Sequence, residues 1–158
     1  MLFVEKKPLN ATASKLIAVP RDSLFLLIGD GFLENYQKWS PEVKDLQLLT
    51  PLPMQVGSIF RQVRVDRGHK SDSQFVVSQF DPPARLSFRE MGDRYRCSYE
   101  LESPDDDSNQ TLVTFTFVFP DLEPYMRPFE KLVRIAIQEG ASKTVENLKR
   151  FSESIHPH

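Results

Sequence analysis

The hydrophobic period of this chain changes once, and that change restricts the folds open to it. Between residues 43 and 119 apolar side chains tend to recur at every second position, in short segments. A period of two marks a strand with one buried and one wet face. Six segments follow this rule: 43–50, 57–66, 71–81, 85–90, 93–102 and 111–119, broken by "PLP", "RGHK", "PP" and the polar run "SPDDDSN". In one, Tyr95, Cys97, Tyr99 and Leu101 oppose Arg94, Arg96, Ser98 and Glu100; in the last, Val113, Phe115, Phe117 and Phe119 oppose Thr114 and Thr116. From Met126 the steps become three and four, through Phe129, Val133, Ala136, Ile137, Gly140, Thr144, Leu148 and Phe151. That spacing predicts one long amphipathic helix. Glu130/Arg134, Glu139/Lys143 and Glu146/Arg150 are Glu-first pairs four apart on it, and Pro124 or Pro128 fits its first turn.

Before the strands, residues 10–20 end in a β-branched apolar run and are expected to form a further strand. Residues 21–30 follow as a helix with Asp22 or Ser23 as cap, an apolar face of Leu24, Phe25, Leu27 and Ile28, and a stop at Gly29 and Gly31. A second short helix spans Phe32 to Lys38. An antiparallel sheet of six to seven strands must curl, and the single long helix must cover its concave face. The expected architecture is an α+β helix-grip fold in one domain over 10–155, with 1–9 and 156–158 as flexible termini.

The 158 residues suffice for a core without staples. Cys97 is the lone cysteine, which excludes an internal disulfide and fits a reducing, cytoplasmic setting. No apolar run reaches transmembrane length, so no integral membrane association is expected. A formal net charge of −2 offers nothing to a nucleic acid. The basic group Arg61, Arg64, Arg67, His69 and Lys70 reads as a solvated hairpin.

Four stretches resemble a known family. "IAVPRDSLFLLIGD" is similar to the first strand and following helix of the START-like, or SRPBCC, superfamily, in its polyketide cyclase/dehydrase and lipid-transport branch. "YQKWSPEV" resembles that family's W-x-P segment, "VGSIF" through "VVSQFDPPARLSF" its glycine-led strand and D-P-P turn, and "GASKTVENLKRFSE" its closing helix. The resemblance implies that a small apolar or amphipathic ligand (lipid, polyketide or isoprenoid-like) binds between sheet and helix, with no cofactor. It leaves open a polyketide cyclase, aromatase or dehydratase activity and a co-chaperone-like interaction module.

No catalytic motif is present. His69, His156 and His158 show no metal-ligand spacing, so no metal is expected. Cys97, between two inward tyrosines, is expected to be a buried, inert thiol. The candidate cavity residues are Trp39, Arg61, Phe88, Tyr95, Tyr99, Phe115, Phe117, Met126, Phe129, Val133 and Ile137. Trp39, the single tryptophan, would pack its ring across one end of the grip with its N–H near water. Arg61, by parity with Ile59, Val63 and Val65, would point inward and require an acceptor. Tyr95 and Tyr99 would bring hydroxyls inside, and in an enzyme they would join Arg61 in polarising a carbonyl. Gly140 would leave room on the helix's buried face. Leu132 and Ile135 fall off the core stripe and are a candidate homodimer contact.

Overall fold

The computed structural model describes residues 5–104 and 109–156. The expected terminal segments at 1–4 and 157–158, and most of the 103–109 loop, lie outside the described residues. Residues 5–9 are not simply a loose end. The Lys7 amide donates to Asp121, its carbonyl accepts from the Leu122 amide, and Leu9 is buried at the start of the first strand.

Seven strands form one sheet: β1 (Leu9–Ile17), β2 (Val43–Leu48), β3 (Ile59–Asp66), β4 (His69–Asp81), β5 (Arg85–Glu90), β6 (Arg96–Glu102) and β7 (Thr111–Phe119). Their order is β1-β7-β6-β5-β4-β3-β2, and every pairing is antiparallel. Register shifts between Val43 and Asp45, and between Val77 and Gln79, are the irregularities by which such a sheet bends. After β1 come α1 (Arg21–Phe25), a π-helical turn (Leu26–Asp30) and α2 (Phe32–Trp39). A 3-10 turn (Pro124–Phe129) leads into α3 (Glu130–Ile155). This is the helix-grip arrangement. Among the described residues no helix is long and apolar enough to cross a membrane.

Three local expectations change. The residue capping α1 is Pro20, with no side-chain cap from Asp22 or Ser23; the Pro20 carbonyl accepts the Leu24 amide instead. Gly29 does not stop the helix but lies within the π-helical turn, where a Cβ would sit 2.6 Å from the Phe25 ring. The glutamates Glu130 and Glu139 pair across elements, with Lys7 at 3.2 Å and Arg67 at 3.5 Å.

The core stripe of α3 is also displaced. Its buried residues are Ala141, Val145, Leu148 and Ser152, none of them before Ala141. Phe129, Ala136 and Gly140 are exposed. At 3.6 residues per turn, the expected apolar stripe lies roughly a quarter-turn away from the one that docks. Leu148 belongs to both stripes, and Ser152 is tolerated on the docked face because its hydroxyl donates to the Leu148 carbonyl at 2.7 Å.

Aromatic rings fill the middle of the grip. Phe32 lies 4.4 Å from Tyr36, 5.0 Å from Phe60 and 5.7 Å from Phe88, centroid to centroid. Trp39 is fully buried and its indole N–H donates to the Tyr99 hydroxyl at 3.1 Å. The ring does cover one end of the grip, between Tyr99 and Phe151, but its N–H is away from water. Both groups would be stranded alone, so the bond fixes the corner where α2, β6 and α3 meet. At the opposite end, in the β5–β6 turn, burial works against the Glu90 carboxylate. Hydrogen bonds from the Arg94 guanidinium and from the Arg94 and Gly92 amides outweigh it and hold the group below the usual glutamate range.

Two measurements check these contacts. In a urea-denaturation double-mutant cycle, Trp39→Phe and Tyr99→Phe should show a coupling of about 0.5–1.5 kcal/mol; additive losses would mean the bond stabilises nothing. Glu90 contributes stability that is complete above the unfolded-state glutamate value and is lost as the pH falls through its lowered native value. Glu90→Gln should therefore flatten that part of the acid limb of stability against pH, leaving an unchanged limb as the contrary result.

Candidate functional site

The parity of β3 decides which side chains face the helix. Phe60 packs into the ring cluster, so Gln62 and Arg64 share its face and Ile59, Arg61, Val63 and Val65 take the other. Arg61 is therefore on the outer face, which corrects the inward placement expected from its apolar neighbours. There its Nε and Nη2 donate to the Asp72 carboxylate at 2.9 and 2.7 Å, and its Nη1 donates to Gln47 at 3.2 Å. Phe60 anchors the strand through its ring contacts with Phe32, Phe75 and Phe88, while Val63 is buried on the other face.

The inner wall is consequently polar in its upper part. The register sets Gln62 beside Leu46 and Ser73, and Arg64 beside Val43 and Ser71. Gln62 is 3% exposed, and its amide oxygen has no hydrogen-bond partner among the described residues. Arg64 donates from Nε and Nη2 to Asp66 at 2.8 and 3.1 Å, which leaves Nη1 outside the pair. Burial alone would lower the Arg64 guanidinium, but its bond to Asp66 and nearby Tyr36 and Glu42 hold it above its ordinary value.

Tyr36 reaches this wall from α2, and Tyr95 and Cys97 reach it from β6 and the preceding turn. Burial pushes the Tyr36, Tyr95 and Tyr99 phenols up and the Cys97 thiol up to about 12, while the Arg64 charge pulls all four weakly the other way. All four keep their protons at neutral pH. The wall offers hydrogen-bond donors, not a nucleophile.

The expected cavity residues separate into two groups. Trp39, Phe88, Tyr99 and Phe115 belong to the packed ring cluster. The Tyr99 hydroxyl is answered by Trp39, and Phe115 stacks obliquely on Tyr99 at 4.9 Å. Tyr95, Phe117, Val133 and Ile137 are only partly buried, as is Met126 in the 3-10 turn. The Tyr95 hydroxyl reaches Ser73 at 3.5 Å, a long and weak bond. Phe129 is 59% exposed and outside the core altogether. Burial is complete at the end holding Val113, Leu148 and Ser152, and only partial at the end holding Tyr95, Phe117, Val133 and Ile137. Gly140 is exposed, and among the described residues nothing lies within 4 Å of where a Cβ would stand. It does not sit on the buried face.

Two broad clefts lie elsewhere, one of about 370 Å³ at Asp30, Leu52, Pro53 and Met54, and one of about 350 Å³ along Arg21, Gln79, Arg85 and Glu100. Neither is lined by α3. Tyr36, Gln62, Arg64 and Ser73 escaped the sequence reading. For Gln62, Arg64 and Ser73 the signal was that they share the parity of Phe60 and Phe75, two aromatic residues directly paired across β3 and β4.

One chemical test follows. Native protein should leave Cys97 unmodified by a thiol-specific disulfide reagent at mildly alkaline pH, and guanidinium unfolding should release it; rapid native labelling would show that the wall is more open than drawn.

The sequence matches the polyketide cyclase/dehydrase and lipid transport family over residues 8–153. No curated protein matches it. The fold resembles that of TTHA0849 from Thermus thermophilus, with a TM-score of 0.76, 20% identity, and coverage of 94% of this chain and 99% of that one. A START superfamily protein from Mycobacterium smegmatis gives 0.75 at 14% identity, covering 93% and 99%. Norcoclaurine synthase from Thalictrum flavum, solved as a point mutant with a transition-state analogue, gives 0.73 at 9% identity, covering 96% and 98%.

Proposed function

The chain belongs to the polyketide cyclase/dehydrase and lipid transport family, and from that premise we propose that it binds a small amphipathic molecule at the open end of the grip. The ligand's polar end meets Gln62 and Arg64, and its apolar body lies along Phe117, Val133 and Ile137. The observation that carries this reading is the Gln62 amide oxygen, buried and unpartnered. A buried acceptor left unpaired costs about 1–3 kcal/mol. A ligand hydroxyl or N–H recovers that loss, and Arg64 Nη1 offers a charged donor to a carbonyl or carboxylate beside it. The fitting class is an oxygenated lipid, polyketide or isoprenoid with both kinds of group at one end.

A cyclase or dehydratase would also need proton transfer. The titratable groups nearest this wall, Tyr36, Tyr95 and Cys97, hold their protons too tightly near neutrality to serve as bases. That favours binding over catalysis.

The probe is cis-parinaric acid, a fluorescent fatty acid with one carboxylate. Fluorescence titration should give saturable binding, weakened by Arg64→Leu about tenfold to a hundredfold and by Gln62→Leu less, with outer-face Arg61→Leu unchanged. Equal affinity in wild type and Arg64→Leu sinks the reading. So does the absence of saturable binding together with an organic extract of the purified protein that contains no co-purifying small molecule.

A further inference from the structure

The cleft of about 350 Å³ opens where β4 ends, β5 begins and β6 ends, and it shares no residue with the polar wall. Its size suits a small molecule. The backbone beneath it is fixed. The Ala84 amide donates to the Asp81 carbonyl at 2.7 Å, and the Leu101 amide donates to the Ala84 carbonyl at 2.8 Å, which ties the β4–β5 turn to β6. Arg21 enters from the start of α1, a helix held in place by the buried Leu24 and Phe25.

The charges lining this cleft are only partly matched. Arg85 pairs with Glu100 across β5 and β6, and donates to the Gln79 side-chain oxygen at 3.4 Å. The Gln79 amide donates to the Asp81 carboxylate at 2.7 Å, so Asp81 meets a neutral donor and no cation. Arg21 and Glu102 have no hydrogen bond or ion pair among the described residues. Arg21 is partly buried, and its Nε is shielded from solvent without an acceptor. A guanidinium N–H denied both water and an acceptor is costly. A simple anion drawn to Arg21 would face Asp81 and Glu102, and a simple cation drawn to those carboxylates would face Arg21. The acids do not converge as metal ligands do: no group of three His, Cys, Asp or Glu among the described residues could hold a metal ion. Two guanidiniums and three carboxylates line the cleft, which leaves one formal negative charge in excess. A ligand bearing both signs, with one positive charge in excess, answers all three unmatched groups. We propose that this cleft binds a basic amino acid. The ligand's carboxylate meets Arg21, and its two cationic groups meet Asp81 and Glu102. This site is separate from the one that receives the amphipath.

Titrating the isotope-labelled full chain with L-lysine, followed by amide NMR, tests this. The amide signals of Asp81, Ala84, Arg85 and Leu101 should shift saturably, and those of Gln62 and Arg64 should stay in place. Arg21→Leu and Glu102→Gln should each weaken binding about tenfold, whereas Arg61→Leu should bind as wild type does. Glu102 is exposed, so its variant reads the site even if Arg21→Leu disturbs α1. Cadaverine, which lacks the carboxylate, and hexanoate, which lacks the ammonium groups, should each bind about tenfold more weakly than lysine. The proposal is overturned if lysine produces no saturable shifts, or if Glu102→Gln binds it unchanged. It is equally overturned if cadaverine binds as tightly as lysine, since the cleft would then be a plain acidic surface in which Arg21 takes no part.

Discussion

Seven strands and one long helix do not enclose a uniform space. A sheet this wide curls, and α3 has only one face to lay against it. The protein resolves the mismatch unequally along the helix. Where α3 presents Ala141, Val145 and Leu148, the layers are close enough to exclude water. Between them and the far strands the volume is filled by rings, because aromatic side chains are the only ones large enough to span the gap while edge-to-face contacts still fix their orientation. The Trp39–Tyr99 bond locks one corner of that filling. Where α3 begins, after two prolines and a 3-10 turn, no helix residue is fully buried.

That asymmetry gives meaning to the polar wall. In a flush core Gln62 and Arg64 would be expensive residues, since each needs partners that an apolar helix face does not have. Here Arg64 carries Asp66 with it towards solvent, and Gln62 is the one that lacks an acceptor's complement. The surrounding phenols and the thiol are kept protonated by burial, so the site's vocabulary is donors set beside the Gln62 acceptor. The proposed binding of an oxygenated amphipath follows from that vocabulary.

The first half of α3 has apolar residues on more than one side. Val133 and Ile137 turn towards the sheet, while Phe129, Leu132 and Ile135 turn to solvent. A helix that is apolar all round is usually buried. This half is anchored on one flank through Lys7–Glu130 and on the other through Arg67–Glu139, with its outer side left bare.

The sequence by itself determined the architecture. Period-two alternation in β6 and β7 and the switch to period three-and-four after Met126 are local properties, set by how successive Cβ atoms point along a strand or a helix. They survive any tertiary context, and so the strands, the long helix and the inward Tyr95, Tyr99, Phe115 and Phe117 were legible. What only the tertiary structure decided was choice among equivalent local solutions. Either parity of β3 makes an acceptable strand, and burial of Phe60 against Phe32 and Phe75 selected the one that turns Arg61 out and Arg64 in. Either apolar arc of α3 makes an acceptable helix, and packing against β1 and β7 selected the one that docks. Parity and helix rotation are global quantities, because their energies are settled by the partner across the core, and that partner is not a neighbour in sequence.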